Sequence, residues 1–331
     1  MANFPNCSFP ILSSCRSAEF VHHALSNRQP FSLIRLGDGE GLLLSLSLDS
    51  NFGDIRYLIS HFGPTGVTIR QAMHLSQLLK SAISTADILG MRTDILDVDF
   101  PASLFQVDNQ RFEREFKERF RLRDAERDVQ YAGCRRLALL HRSLKDFCFD
   151  SDSRFSSAWI HYDLVTTGHL YNWLKAQDRI GLITGIPELP SRVEKVFDLR
   201  VRSYHIPDMF GRAGDPAISG EHYPKRFHEL RKSLTVDFPG MLFLVGAGIC
   251  GKVYCQWIKE MGGVAIDVGS VFDSWMGRAT RPTVFRAKFP KVPKVNGVPS
   301  ILLLNRQNVE LLSHDTDLSS SRGTKQHKQA C

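Results

Sequence analysis

Two short runs of this chain bring together residue types that can do chemistry. The first is Arg35-Leu36-Gly37-Asp38-Gly39-Glu40, standing where an apolar stretch, Phe31 to Ile34, runs out. Asp38 and Glu40 are two apart, and alternate side chains of extended backbone share a face, so the spacing predicts that both carboxylates reach one point. Oxygen-only donors suit hard cations such as Mg²⁺ or Mn²⁺, which take their remaining ligands from water and substrate phosphates. Gly37 and Gly39 permit a sharp turn and the close approach of a bulky ligand. Arg35 offers a planar fork for a phosphate, or a partner that orients a carboxylate. Taken alone, the run also fits an Asp-Gly turn followed by a helix-capping Glu.

The second run is Gly246-Ala247-Gly248-Ile249-Cys250-Gly251-Lys252, which follows the apolar stretch Met241 to Val245 and opens a helical pattern. Asp267 lies 21 residues after Gly246, the acidic spacing of a dinucleotide fingerprint. Free N–H groups at a helix start receive a diphosphate, and Lys252 adds a point charge. Only 64 residues follow Asp267, too few for a complete dinucleotide-binding half. Three readings stay open: a phosphate-facing turn in another α/β fold, a tight strand–helix connection, or an NAD(P) or FAD site of an oxidoreductase.

The elements that position these runs alternate. A helix from about Arg16 leads to the strand 31–37, a short helix from Gly41, a helical run from Arg70 and the strand 86–92. Residues 109–147 are rich in charge, with Phe112, Phe116 and Phe120 recurring every four residues, and predict a long amphipathic helix inserted at about 105–150. Alternation resumes with Ser157 to His161 read as a strand, a helix over 163–176, strands at 179–185, 200–206, 241–246 and 264–269, and helices between them. Such alternation argues an α/β fold with a mostly parallel, doubly wound, Rossmann-like sheet in one domain over 1–281. Residues 282–331 read as a basic, proline-spaced arm followed by a disordered tail.

The composition, 43% hydrophobic and 23% charged, allows an ordinary core and excludes global disorder, collagen and coiled coil. The longest nearly apolar stretch, 240–250, falls short of the roughly 20 residues of a spanning helix, and no basic-then-apolar leader opens the chain. A cytoplasmic protein without a transmembrane segment is expected. Seven scattered cysteines with no C-x-x-C pair predict free thiols. The net charge of +7 favours polyanions, nucleotides or an anionic membrane surface. A nucleic-acid module is not recognisable, leaving a non-enzymatic nucleotide-binding protein as the alternative outside enzymology.

Together, SLIRLGDGE and FLVGAGICGKVYCQWIKEMGGVAIDVGSVFDSW resemble the GT-D-fold glycosyltransferases, as do SAWIHYDLVTTGHLY, RIGLITG and YHIPDMFGRAG, over roughly 16–281. The resemblance implies a sugar transferred from a nucleotide-sugar donor, typically a UDP-sugar, in polysaccharide or glycoprotein assembly. It further implies a divalent metal, Mn²⁺ or Mg²⁺, on a D-x-E motif that maps onto Asp38 and Glu40. That metal would stabilise the departing diphosphate, and the acceptor would be a glycan, a glycoprotein or a lipid-linked sugar reached by peripheral membrane contact. Arg35, Gly37, Gly39, Gly246, Gly248, Gly251 and Lys252 would then face the donor. His161, with Asp163 two residues on, is the candidate for the acceptor proton. Asp267 and Asp273 are candidates for ribose, sugar hydroxyls or acceptor, or for helix caps. Trp159, Trp257 and Trp275 are candidate platforms or core residues. Arg202, His205, Arg212, Lys225 and Arg226 form a basic region or a solvated face.

Overall fold

The structure is a computed structural model, and it describes residues 10–46, 62, 67–92, 136–149, 152–207 and 222–314. Eight strands form one sheet: β1 (Ile11–Leu12), β2 (Phe31–Arg35), β3 (Ile88–Met91), β4 (Phe155–Ser157), β5 (Arg179–Thr184), β6 (Arg200–His205), β7 (Leu242–Gly246) and β8 (Val264–Asp267). Their order is β1-β4-β3-β2-β8-β7-β5-β6, and every pairing is parallel. The central strands carry apolar residues on both faces, as a sheet covered twice requires. In β2, Leu33 and Ile34 are adjacent, and each is buried in a different core cluster.

One face is covered by α2 (Asp38–Leu44), α3 (Ile69–Thr85), helical residues 136–144, α7 (Phe227–Ser233) and α8 (Gly248–Glu260). The other is covered by α1 (Ser14–Ser26), α4 (Ile160–Thr166), α5 (His169–Lys175), α6 (Leu189–Phe197), α9 (Val271–Trp275), α10 (Pro282–Lys288) and α11 (Arg306–His314). The fold class is therefore α/β, with a parallel, doubly wound sheet. Connections running one way along the sheet cross the second face and those running back cross the first, which is the right-handed crossover rule at work. Along the neighbours β2, β8, β7 and β5 the chain leaves alternately to the first face and the second. Both chemistry-bearing runs stand at the carboxyl ends of these strands, where a sheet of this kind collects ligands.

Two expectations are corrected. The strand expected at Ser157 to His161 lies earlier: β4 ends at Ser157, and His161 falls in the first turn of α4. The domain does not end at 281. Phe285, Val298, Leu302 and Leu304 are fully buried in the second core cluster, so the proline-spaced segment packs on the sheet as part of the same unit. Its basic residues are spaced around that apolar face, with Lys288 Nζ 2.6 Å from Asp163 Oδ1. A two-stranded ribbon pairs Lys294–Val295 with Val298–Pro299 through Asn296 and Gly297, both at positive φ. An Asn-Gly pair at a two-residue hairpin turn is a strong local signal that the basic composition masked. Phe112, Phe116 and Phe120 of the amphipathic insertion, and the tail after His314, lie outside the described residues.

Candidate functional site

Arg35 closes β2, and its side chain turns inward instead of toward a ligand. It passes between two glycines: a Cβ on Gly90 would come 2.9 Å from Arg35 Cγ, and one on Gly269 would come 2.2 Å from Nη2. The guanidinium donates from Nε to the carbonyl of Asp267 (2.8 Å), from Nη2 to Asp267 Oδ1 (3.1 Å), and from Nη1 to the carbonyl of Ala158 (3.0 Å) and to His161 Nδ1 (2.9 Å). Of the two roles expected for it, phosphate fork or carboxylate orienter, the geometry is that of the second. Gly90 and Gly269 were not singled out in the sequence, because what they clear a path for is a side chain from another strand.

Beside Arg35, the two runs meet. Lys252, one turn into α8, places Nζ 2.7 Å from Glu40 Oε1, 3.1 Å from Asp267 Oδ2 and 3.0 Å from the carbonyl of Gly248. All three side chains are buried: Glu40 and Lys252 are each 5% exposed and Asp267 1%. Arg35, Asp267, Lys252 and Glu40 thus alternate in sign and sum to zero charge, which lets four ionised groups leave water together. Burial is the strongest single influence on Lys252 and disfavours its charge, but Asp267 and Glu40 outweigh it and hold its pKa above the ordinary lysine value. Burial likewise presses Asp267 toward neutrality, and Arg35 with Lys252 reverses this, holding its pKa below the usual carboxylate value.

The shared point expected for Asp38 and Glu40 does not form, because the backbone there is helical. Asp38 and Glu40 occupy the first turn of α2, where residues two apart diverge around the axis. Glu40 Oε2 accepts the N–H of Gly37 at 2.8 Å and caps the helix. Asp38 faces outward, its side chain 41% exposed, and its Oδ2 accepts from Nε (3.1 Å) and Nη2 (3.0 Å) of Arg136. Arg136 was missed, since nothing in its neighbourhood of the sequence links it to Asp38. A signal existed in Gly41, where a Cβ would lie 2.1 Å from the Arg136 carbonyl, so only glycine lets helix 136–144 reach α2.

A divalent cation held jointly by Asp38 and Glu40 does not fit this arrangement. One Glu40 oxygen is taken by an ammonium and the other by a backbone N–H, while Asp38 points elsewhere. Among the described residues, no three His, Cys, Asp or Glu side chains gather as a metal cage.

The glycine run behaves chiefly as a packed strand–helix connection. Gly248 has φ +54°, a left-handed backbone that glycine adopts without strain. A Cβ on Gly246 would come 2.4 Å from the Phe272 ring, so this glycine makes room for α9 instead of a ligand. A Cβ on Gly251 would lie 3.3 Å from Val245 Cγ1, the close approach that seats α8 on β7. What the run still offers is the start of α8, whose first N–H groups, at Gly248 to Cys250, lack intrahelical acceptors. Gly39 is buried within α2.

His161 is fully buried, with Arg35 Nη1 on its ring nitrogen. Burial first, and then the Arg35 charge, pull its pKa well below the ordinary value, so it is a neutral support for the guanidinium, out of reach of an acceptor. The geometry gives no support to the expectation that it takes the acceptor proton. Asp267 is equally enclosed, with its carboxylate held between Arg35 and Lys252. Asp273, in α9, accepts from Thr280 Oγ1 at 3.0 Å and fastens the following turn. Trp257 and Trp275 are core residues, and Trp159 lies under Arg92. Arg202 pairs with Asp237, and Arg226 donates to the His205 carbonyl. Lys225 lies in the kinked turn before α7. Arg212 is outside the described residues.

Residues 13–120 match the family model of the GT-D fold-like domain. The matched segment, a third of the chain, resembles that domain. It contains Arg35 and the whole Gly37–Glu40 turn, while Lys252 and Asp267 reach the site from beyond it. No curated protein matches the chain. Solved structures that match include a selenomethionine-substituted domain of unknown function 1792, with 14% identity, 92% of this chain and 94% of that one covered, and a TM-score of 0.47. A second structure of that domain, described as having a distinct glycosyltransferase fold, gives 14% identity, 92% and 94% coverage and 0.45. A third, described as a new glycosyltransferase from Streptococcus sanguinis, gives 16% identity, 92% and 98% coverage and 0.45. No helix among the described residues is long and apolar enough to cross a membrane.

Proposed function

We propose that this protein is a glycosyltransferase that moves a sugar from a nucleotide-activated donor, a UDP-sugar, to a glycan, glycoprotein or lipid-linked acceptor. The observation that carries the reading is the meeting of α2 and α8 at the carboxyl ends of β2, β8 and β7, within and beside a GT-D fold-like segment. In this reading the donor diphosphate lies over the start of α8, where backbone N–H groups and the positive helix end meet its charge. The buried Arg35-Asp267-Lys252-Glu40 set keeps both helix starts fixed, so those donors are preorganised. The bond from the anomeric carbon to the diphosphate oxygen breaks, a bond to the acceptor oxygen forms, and the acceptor proton leaves. In this reading Asp38, the carboxylate of the Gly37–Glu40 turn that faces outward, touches substrate.

The test is a thermal-shift screen of UDP, GDP, their sugars and NAD(P)(H), with and without Mn²⁺, followed by release of nucleotide diphosphate from whichever donor binds. A ligand that binds only the folded state raises apparent stability. A shift with a sugar nucleotide that Asp38→Asn weakens supports the reading. A shift with NAD(P)(H) alone would replace it with the oxidoreductase.

A further inference from the structure

Charge is distributed unevenly along this chain. Residues 274–309 contain seven Lys and Arg and no Asp or Glu, while the other 35 Lys and Arg equal the 35 Asp and Glu of the whole chain. One stretch therefore carries the entire net charge of +7. The fold gathers that stretch together. In and just after α10, Phe285 and Phe289 turn into the core, and Arg286 stays exposed. The hairpin turn at Asn296 and Gly297 lies against the loop before α10: a Cβ on Gly297 would come 3.2 Å from the Cβ of Ala279, which stands between the exposed Arg278 and Arg281 in the chain. Lys291 and Lys294 are exposed on the approach to the same turn. Glu188, 3.9 Å from Arg278, and Asp163, beside Lys288, offset part of this charge.

An apolar feature sits within the basic one. Val295, next to the hairpin turn, is 49% exposed, and Pro290 and Pro293 are exposed among the bases. A hairpin tip that carries both bases and an exposed aliphatic side chain suits a bilayer surface, where anionic headgroups meet the charge and the acyl boundary takes the apolar group. A soluble polyanion would gain nothing from Val295. A nucleic-acid strand would find no aromatic of this stretch to stack on, since Phe285 and Phe289 point inward.

We infer that the loop before α10 and the hairpin after it form a docking surface for a bilayer rich in anionic lipid. Lys291 and Lys294 meet headgroup phosphates, and Val295 enters beneath them. Lys288 reaches Asp163, two residues after His161, so the surface adjoins the edge of the candidate site. On the glycosyltransferase reading, docking here brings lipid-borne acceptors to that edge. The docking itself rests on charge and exposure and not on sugar transfer, so a donor screen that fails leaves it standing.

Co-sedimentation of the full chain with lipid vesicles tests it, with circular dichroism as the check on folding. Vesicles of equal parts phosphatidylcholine and phosphatidylglycerol should bind the protein, added salt should weaken that binding, and phosphatidylcholine alone should not hold it. A base at an anionic surface contributes roughly fivefold, so Lys291→Glu with Lys294→Glu should lower vesicle affinity by about tenfold or more. Val295→Ser should lower it about threefold and leave retention on heparin, a soluble polyanion, unchanged. Absence of binding to the mixed vesicles, equal binding to both vesicle types, or a double variant within about twofold of the unaltered protein overturns the inference. So does a Val295→Ser protein that binds vesicles as before, which would make this face a site for soluble polyanions. Should the double variant misfold, Val295→Ser decides alone.

Discussion

Lys252 Nζ lies 2.7 Å from Glu40 Oε1, and this contact joins the turn after β2 to the helix after β7. Either residue alone belongs to a common motif. Together, with Asp267 and Arg35, they make a neutral buried chain of charge beneath the carboxyl ends of three neighbouring strands. The cost of burying each ion is met by its neighbours, so the set stands or falls as a unit.

Asp267→Asn tests that unity. It leaves Arg35 and Lys252 facing each other across a neutral amide, with a single carboxylate, Glu40, to balance them. Breaking a buried pair in this way costs about 3–5 kcal/mol. Urea unfolding should show the midpoint falling with an unchanged slope, and a midpoint equal to that of the unaltered protein would mean that the four charges are not coupled.

Asp38→Asn should behave differently. Asp38 is 41% exposed and pairs with Arg136, whose side chain is 13% exposed, so the substitution should cost about 1–3 kcal/mol, less than Asp267→Asn, while removing most sugar transfer. Comparing unfolding midpoint and turnover on one preparation separates the two effects. Retained turnover would take Asp38 out of the proposed chemistry.

Stability should fall between pH 6.5 and 5. His161 has its pKa held well below the ordinary value, chiefly by burial, and burial lowers that of His222 to about 3. Both stay neutral in the folded protein where the unfolded chain takes up protons, so each contributes stability above about pH 6.5 and loses roughly 1.4 kcal/mol per pH unit below it. Asp267 acts in the same direction in a lower window: its pKa is lowered, so its contribution is complete above about pH 4 and is lost only below that. Thermal unfolding followed from pH 7 to 5 should therefore show a steady fall in Tm, and a flat profile would contradict the burial of neutral imidazoles.

Phe285→Ala examines the segment after residue 281. Phe285 is fully buried and meets the Tyr162 ring edge-on at 5.7 Å, so truncating it should cost about 3–5 kcal/mol. A chain ending at 281 should likewise lose cooperative unfolding. Full stability of either would return this segment to the role of a surface arm.

Gly246→Ala should destabilise the loop by about 1–3 kcal/mol, since its Cβ would come 2.4 Å from the Phe272 ring and push α9 away. Phe272→Ala in the same chain should recover part of that loss by opening the space. A double-mutant cycle reads the coupling. Additive effects would place the clash elsewhere.

Helix and strand periodicity alone determined most of the architecture here, because apolar spacing and glycine punctuation are local properties. The strands Phe31–Arg35, Ile88–Met91, Arg179–Thr184, Arg200–His205, Leu242–Gly246 and Val264–Asp267 all fall where the apolar runs place them. The sequence also named Arg35, Glu40, Lys252 and Asp267 as candidates, since charged residues at strand ends and helix starts stand out against apolar neighbours. It could not say what they do. That Asp38 and Glu40 diverge depends on the backbone after Gly37 being helical, and that Lys252 turns to Glu40 depends on β2, β8 and β7 being neighbours. A carboxylate reads the same in a sequence whether it faces water, metal or an ammonium. Only the order of the strands decides which, because it sets the partner within 3 Å and whether water can reach the pair.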